Sequence, residues 1–340
     1  MSAARHLRLS RAAVAAMLVC TGAALGAGEP NLPDGAVAVS RDGGRIVSWT
    51  VGRSHFSAAP ERGARLLSWD VRRADGTVRP VIYGVRETEA ADLARARGGI
   101  PVLFPFAGAS TSDGRPHTWR AEDGVVRPMP MHGFARQGRF SVEAIASDGF
   151  TARFAPDETA EAAYPFRYRF TVVYRFFEYA MRCELRLAND GTVPLPWAAG
   201  LHPYFAVPWS AGASRDDYVI AVPATRSWRR AGHGLVAGPA PVFPRALVDP
   251  ALRLTFWSGL SGSEVSFGPV GSDERIELVL GGEDGPPPES SIVLWTESDA
   301  APFFCVEPFM APANAPETGV GLQCVPPGGT GSFIVEIRVQ

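Results

Sequence analysis

The sequence predicts an all-β protein, a large antiparallel β-sandwich. Three observations carry that expectation. In RYRFTVVYRFFEYAMRCELRLANDG, Tyr168, Phe170, Val172, Tyr174 and Phe176 share one face, with Arg167, Arg169 and Arg175 on the other. After a tight connection, Met181, Cys183, Leu185 and Leu187 alternate with Arg182, Glu184 and Arg186. Period-two alternation of this length is a half-buried hairpin, closed by the turn signal Asn189-Asp190-Gly191. Second, 36 Gly and 30 Pro punctuate the 340 residues, which favours many turns over long helices. Third, only RETEAADLARAR has a helical look, and it is short.

The N-terminal MSAARHLRLSR supplies three arginines, and AAVAAMLVCTGAALGA follows as an apolar run ending in small residues. This is the pattern of a secretory signal over residues 1–27, too short and too rich in Ala and Gly for a membrane span. Val19 before Cys20 is bulky where a lipidation site has a small residue. Cleavage is expected near Ala27, leaving a single domain over residues 28–340, exported and, from the bacterial character of the signal, periplasmic. Within that domain GGRIVSWTVG and ARLLSWDVRRADGTVRPVIYG read as strands with Gly-containing turns. GGEDGPPPESS is a surface loop, and Phe333, Val335, Ile337 and Val339 of GSFIVEIRVQ share a face of a final strand. A 46% hydrophobic composition is enough to fill the core such a sandwich needs.

All 33 basic residues are arginine. A Schiff-base aldolase, a pyridoxal-phosphate enzyme and a Walker-type loop each need a lysine amine, so these chemistries are excluded. A net charge of −2 recommends neither nucleic acid nor an anionic membrane as a partner. Beyond the signal, Cys183, Cys305 and Cys324 allow at most one internal disulfide and lack metal-ligand spacing.

One carboxylate is out of place. In FFCVEPFMAPAN, Phe303, Phe304, Val306 and Phe309 suit a core and Glu307 does not. Burying such a group without compensation costs roughly 2–7 kcal/mol or more. Among the histidines, His6 leaves with the signal, His55 and His233 sit among turn residues, and His117 lies in the polar loop DGRPHTWRAEDG. His132 precedes Gly133 in MPMHGFARQGRF, where the chain can approach a ligand closely. His202 in AAGLHPYFAVP is flanked by aromatic and proline residues that hold an imidazole rigid. A desolvated carboxylate can serve as a base near neutral pH, and histidine is the usual partner acid. A base and an acid facing each other across a small molecule suit a reaction that takes a proton from one oxygen and gives one to another. Opening of a cyclic sugar hemiacetal is such a reaction, and it needs neither metal nor cofactor.

RGGIPVLFPFAG, HGFAR, HPYF and FFCVEPFMAPAN occur in the order seen in the aldose 1-epimerase family, and GARLLSW and VPPGGTGSFIVEI resemble its flanking strands. Over residues 35–340 the chain therefore resembles the galactose mutarotase-like superfamily, which includes hexose-6-phosphate epimerases. The resemblance implies that family's β-supersandwich, with the site in a cleft on one sheet. It implies Glu307 as general base and His202 as general acid. It also implies His132 as a contact to sugar hydroxyls, and Arg97 and Arg136 as contacts to sugar oxygens or a phosphate. Asp249, in ALVDPALRL, is the match for an aspartate that holds sugar hydroxyls; Asn314 and Trp295 lie near the glutamate motif and would help shape the pocket. HPYF is similar to the free-sugar mutarotases, whereas RGGIP and HGFAR are similar to the phosphosugar branch.

The implied activity is an aldose 1-epimerase acting on a free aldose, a small-molecule partner. One alternative is an exported carbohydrate-binding protein without turnover, for which an acid–base pair would be superfluous. Another is an epimerase of a hexose 6-phosphate, disfavoured by export. A glycan lyase or hydrolase is further off, because hydrolysis calls for two suitably separated carboxylates and only Glu307 is well placed.

Overall fold

Two antiparallel sheets, one of 13 strands and one of nine, pack face to face in the computed structural model, which realises the expected sandwich. The model describes residues 32–340 apart from 42–43, 87–88, 90–91, 211 and 233. The secretory-signal assignment (residues 1–27), His6, Cys20 and His233 lie outside the described residues. Leu32–Gln340 cluster as one unit. No helix among the described residues is long and apolar enough to cross a membrane.

The hairpin signalled by alternation pairs Tyr168–Phe176 with Ala180–Asn189, and Phe176 lies opposite Met181. Ala180–Asn189 then pairs with the final strand Thr330–Val339. The inward side chains of this smaller sheet meet those of the larger one. Phe56 stacks on Phe176 with ring centroids 4.3 Å apart, and Trp49 on Phe150 at 5.7 Å. Such pairs add about 0.5–1.5 kcal/mol each beyond the area they bury. Asn189 ends the hairpin as its turn signal requires. Its amide donates to the carbonyls of Val193 and Val325 and accepts from the Gly191 N–H.

Of the described residues in RETEAADLARAR, Glu89 lies in a 3-10 turn of helix and Leu93–Arg95 form a turn, with the Ala96 N–H donating to the Asp92 carbonyl at 3.0 Å. Side chains tie the end of this segment down. The fully buried Arg65 guanidinium donates to the carbonyls of Leu93 at 2.6 Å, Ala96 at 3.0 Å and Gly98 at 2.5 Å. The Asp92 carboxylate takes the Ala94 N–H in an Asx turn.

Phe303–Phe309 lies at the centre of the larger sheet, between Tyr204–Ala206 and Ser291–Trp295, and all seven residues are buried. Its two faces do different things. Phe304 and Val306 enter the core between the sheets. Phe303, Cys305, Glu307 and Phe309 point to the opposite side, where two smaller apolar clusters and a cavity lie. A strand covered on both faces reads as a continuous apolar run, which is why Glu307 looked anomalous in it.

Candidate active site

Antiparallel register brings the two central side chains together. Gly200 lies opposite Phe309, and Tyr204 opposite Cys305. Continuing the pairing inward from both ends places His202 opposite Glu307, although the strand is interrupted at His202 and Pro203. His202 Nε2 is 3.3 Å from Glu307 Oε1. The sequence expectation set the imidazole and carboxylate on opposite sides of a sugar-sized gap. They are instead neighbours on one floor, because residues facing each other across a strand pair are held only a few ångströms apart.

That floor closes a cavity of about 380 Å³. Its polar wall is formed by Arg97, His132, Arg136, His202 and Glu307, and its apolar wall includes Phe256, Val293 and Phe309. Tyr204 and Trp295 frame the imidazole. The Tyr204 ring stacks on that of His202 at 4.8 Å, and Trp295 meets it edge-on at 5.9 Å.

Burial sets the electrostatics of the pair. Glu307 is 3% exposed, and desolvation pushes its carboxyl well above the usual range. His202 is 8% exposed; desolvation, then the neighbouring His132, holds its imidazole well below the usual range. Both shifts favour the uncharged forms, so the resting pair carries one proton, held on the carboxyl side.

His132 has a defined tautomer. Its Nδ1 accepts from the Gly108 N–H at 3.1 Å, while the His132 backbone N–H donates to the Gly108 carbonyl at 2.8 Å. With Nδ1 an acceptor, the ring proton resides on Nε2, which is free to donate to a ligand oxygen. Burial, reinforced by Arg136, lowers its pKa to about 3, so the ring is neutral. His132 adopts φ +68° and Gly133 φ +73°. A Cβ at Gly133 would sit 2.0 Å from the Phe104 carbonyl oxygen, so glycine is what permits this close approach.

Arg97 lines the cavity, pairs with Glu297 at 3.1 Å and stands over the Trp295 ring. Arg136 is half-buried at the same wall, and among the described residues no carboxylate pairs with it. Asp249 takes no part. It caps the turn Pro250–Leu252, accepting from the Ala251 N–H at 2.8 Å and from Arg245 at 2.7 Å, and it is not a lining residue. Sequence position between the second histidine motif and the glutamate strand did not translate into spatial proximity, since local turn chemistry consumes this carboxylate. Trp295 lines the cavity; Asn314 lies behind it, accepting from the Thr111 N–H at 2.8 Å. His55 and His117 are exposed and contribute nothing to the wall.

Several lining residues were missed, among them Tyr204, Phe309, Arg230 and Leu254. Tyr204 and Phe309, two positions beyond His202 and Glu307, could have been found from strand alternation. Arg230 shares a strand face with Trp228 and donates to the Thr111 hydroxyl. It and Leu254 reach the cavity through pairing of distant segments, which leaves no local trace.

The sandwich and its cavity, floored by a carboxylate–imidazole pair, define a mutarotase-like protein. Solved structures agree on the fold. The Slr1438 protein of Synechocystis sp. PCC 6803 superposes with a TM-score of 0.71 at 23% identity, covering 89% of this chain and 98% of that one. A galactose mutarotase-like protein from Clostridium acetobutylicum gives 0.72 at 14% identity, covering 90% and 98%. The chromosomal LacX protein of Lactococcus lactis subsp. lactis is 23% identical over 244 residues, 65% of this chain and 77% of LacX. The family model for aldose 1-epimerase matches residues 47–238, more than half of the chain; the protein belongs to the aldose 1-epimerase family.

Proposed function

We propose that the protein is an aldose 1-epimerase that interconverts the α and β anomers of a free aldose. The observation that carries this is the 3.3 Å contact between His202 Nε2 and Glu307 Oε1 on the floor of the cavity. A sugar entering the cavity brings hydroxyls that solvate the Glu307 carboxylate and favour its ionised form, so the shared proton moves to His202. Glu307 then takes the proton from the anomeric hydroxyl. The C1–O5 bond breaks as the C1–O1 carbonyl forms, and His202 delivers its proton to the ring oxygen. Rotation about C1–C2 presents the other carbonyl face, and reclosure reverses both transfers. The protein ends with the proton count it began with, so the chain's own residues balance the reaction. His132 Nε2–H, Arg97 and Arg136 supply donors to the sugar oxygens. Positioned proton transfer of this kind contributes typically about 10²–10⁴-fold each.

Anomer exchange measured by NMR with a panel of free aldoses tests the proposal. Exchange at the uncatalysed rate with every sugar, despite saturable binding, would leave a carbohydrate-binding protein. The unpaired guanidinium of Arg136 favours a second reading, an aldose bearing an anionic group such as a 6-phosphate, which a guanidinium fork can grip bidentately. Comparing each free hexose with its 6-phosphate separates the two, and Arg136→Met should raise KM selectively for the anionic form. We also propose export, on the signal-like pattern of residues 1–27, and an exported protein would meet the uncharged sugar.

A further inference from the structure

The mechanism leaves a buried thiol beside the proton-transfer pair unused. Cys305 lies two residues before Glu307 on the same strand face, opposite Tyr204 on one side and Trp295 on the other. Its thiol, an imidazole nitrogen of His202 and a carboxylate oxygen of Glu307 all lie within 4.8 Å of one another, and all three residues are buried. Among the described residues, the buried Nδ1 of His202 has no hydrogen-bond partner.

We propose that His202, Cys305 and Glu307 form a binding site for a thiophilic divalent cation, for which Zn²⁺ is the best match. Sulfur, nitrogen and oxygen donors in one cluster suit a borderline-soft ion rather than Mg²⁺ or Ca²⁺. Tetrahedral Zn bonds of about 2.0–2.3 Å place donors roughly 3.3–3.8 Å apart, so closure of the cluster from separations within 4.8 Å needs a contraction of at most about 1.5 Å. Binding releases two protons, one from the thiol and one from the carboxyl. The resulting thiolate and carboxylate neutralise the dication, and an uncharged complex avoids both the cost of a buried net charge and repulsion by Arg97 and Arg136. His202 and Glu307 line the cavity, so a fourth ligand, a water or a sugar hydroxyl, would come from that side. Because two of the three ligands are the proposed proton-transfer pair, bound metal would also stop turnover. That consequence rests on the epimerase proposal; the site itself does not.

Co²⁺ serves as the spectroscopic probe for Zn²⁺. Titrated into the purified protein, it is expected to give a thiolate-to-cobalt charge-transfer band that Zn²⁺ then abolishes. Cys305→Ser should lack the band, whereas Cys324→Ser, which changes the exposed thiol, should keep it. Zn²⁺ affinity in Cys305→Ser should fall by at least the roughly 10–100-fold typical of losing a supporting outer partner. Cys305→Ala, with its fold checked by circular dichroism, guards against a loss caused by misfolding. No band in the unmodified protein, a band retained in folded Cys305→Ser or Cys305→Ala, or one lost in Cys324→Ser would overturn the proposal. The absorbance reports binding whether or not the protein turns over a sugar.

Discussion

His202 stands opposite Glu307 in the register of the central strands although its own strand is broken at that point, and the two side chains meet at 3.3 Å. The backbone on either side is paired, so the contact is imposed by the sheet rather than by a loop. Elements of a rigid scaffold hold reacting groups more tightly than loops do.

Glu307→Gln keeps the shape of the carboxyl group and removes its ability to take a proton. It is expected to lower kcat by about 10²–10⁴-fold or more with sugar binding largely retained. His202→Asn should fall in the same range. Because one proton serves both residues, the double variant should cost about as much as the worse single variant rather than the product of the two. Anomer exchange by NMR and sugar titrations on the three variants decide this; a multiplicative loss would mean that the residues act separately.

Arg65 supports the segment that carries Arg97 through its bonds to the carbonyls of Leu93, Ala96 and Gly98. Burial depresses its pKa to about 10, so it remains charged at neutral pH. Arg65→Met leaves those acceptors without their donor, at about 1–3 kcal/mol for each one left buried and unsatisfied. Urea unfolding should show the loss, and KM should rise more than kcat falls, because Arg97 is displaced while the proton-transfer pair is untouched. Arg65→Lys should rescue little, since an ammonium cannot reproduce the fork.

Gly133→Ala tests the close approach beside His132. The added methyl would collide with the Phe104 carbonyl, and φ +73° is unfavourable for alanine. A backbone conformation of this kind costs about 1–3 kcal/mol before any clash is counted. A lowered Tm together with weakened sugar binding is expected; an unchanged Tm would argue that the loop shifts freely.

His132 also gives stability a pH dependence. Its pKa falls from 6.5 to about 3 on folding, so below pH 6.5 the unfolded chain binds a proton that the folded chain refuses. Stability from this group is therefore fully present above about 6.5 and is lost as the pH falls toward about 3. His132→Gln, which cannot ionise, should flatten the profile of Tm against pH across that interval, by differential scanning calorimetry.

Much of the architecture was legible because its signals are local. The hairpin from Tyr168 to Asn189 and the final strand announce themselves by alternation. The motifs holding Glu307, His202, His132, Arg97 and Arg136 point to residues that the fold gathers at one cavity. What was not legible depends on partners far away in sequence. The segment before Arg97 is tied down by a guanidinium from Arg65, and Asp249 is consumed by its own turn and Arg245. Arg230 arrives on a strand whose neighbour, Thr255–Leu260, no nearby residue identifies.

The strand Phe303–Phe309 serves the core with one face and the cavity floor with the other. A substitution in the floor therefore propagates into the packing of the whole sandwich, leaving this part of the site little freedom to diverge. Preference for one carbohydrate over another has more room to drift away from the floor, at Arg136 and where Met131 and the 66% exposed Leu254 stand. Descendants of this chain with new tastes in sugars should differ there first.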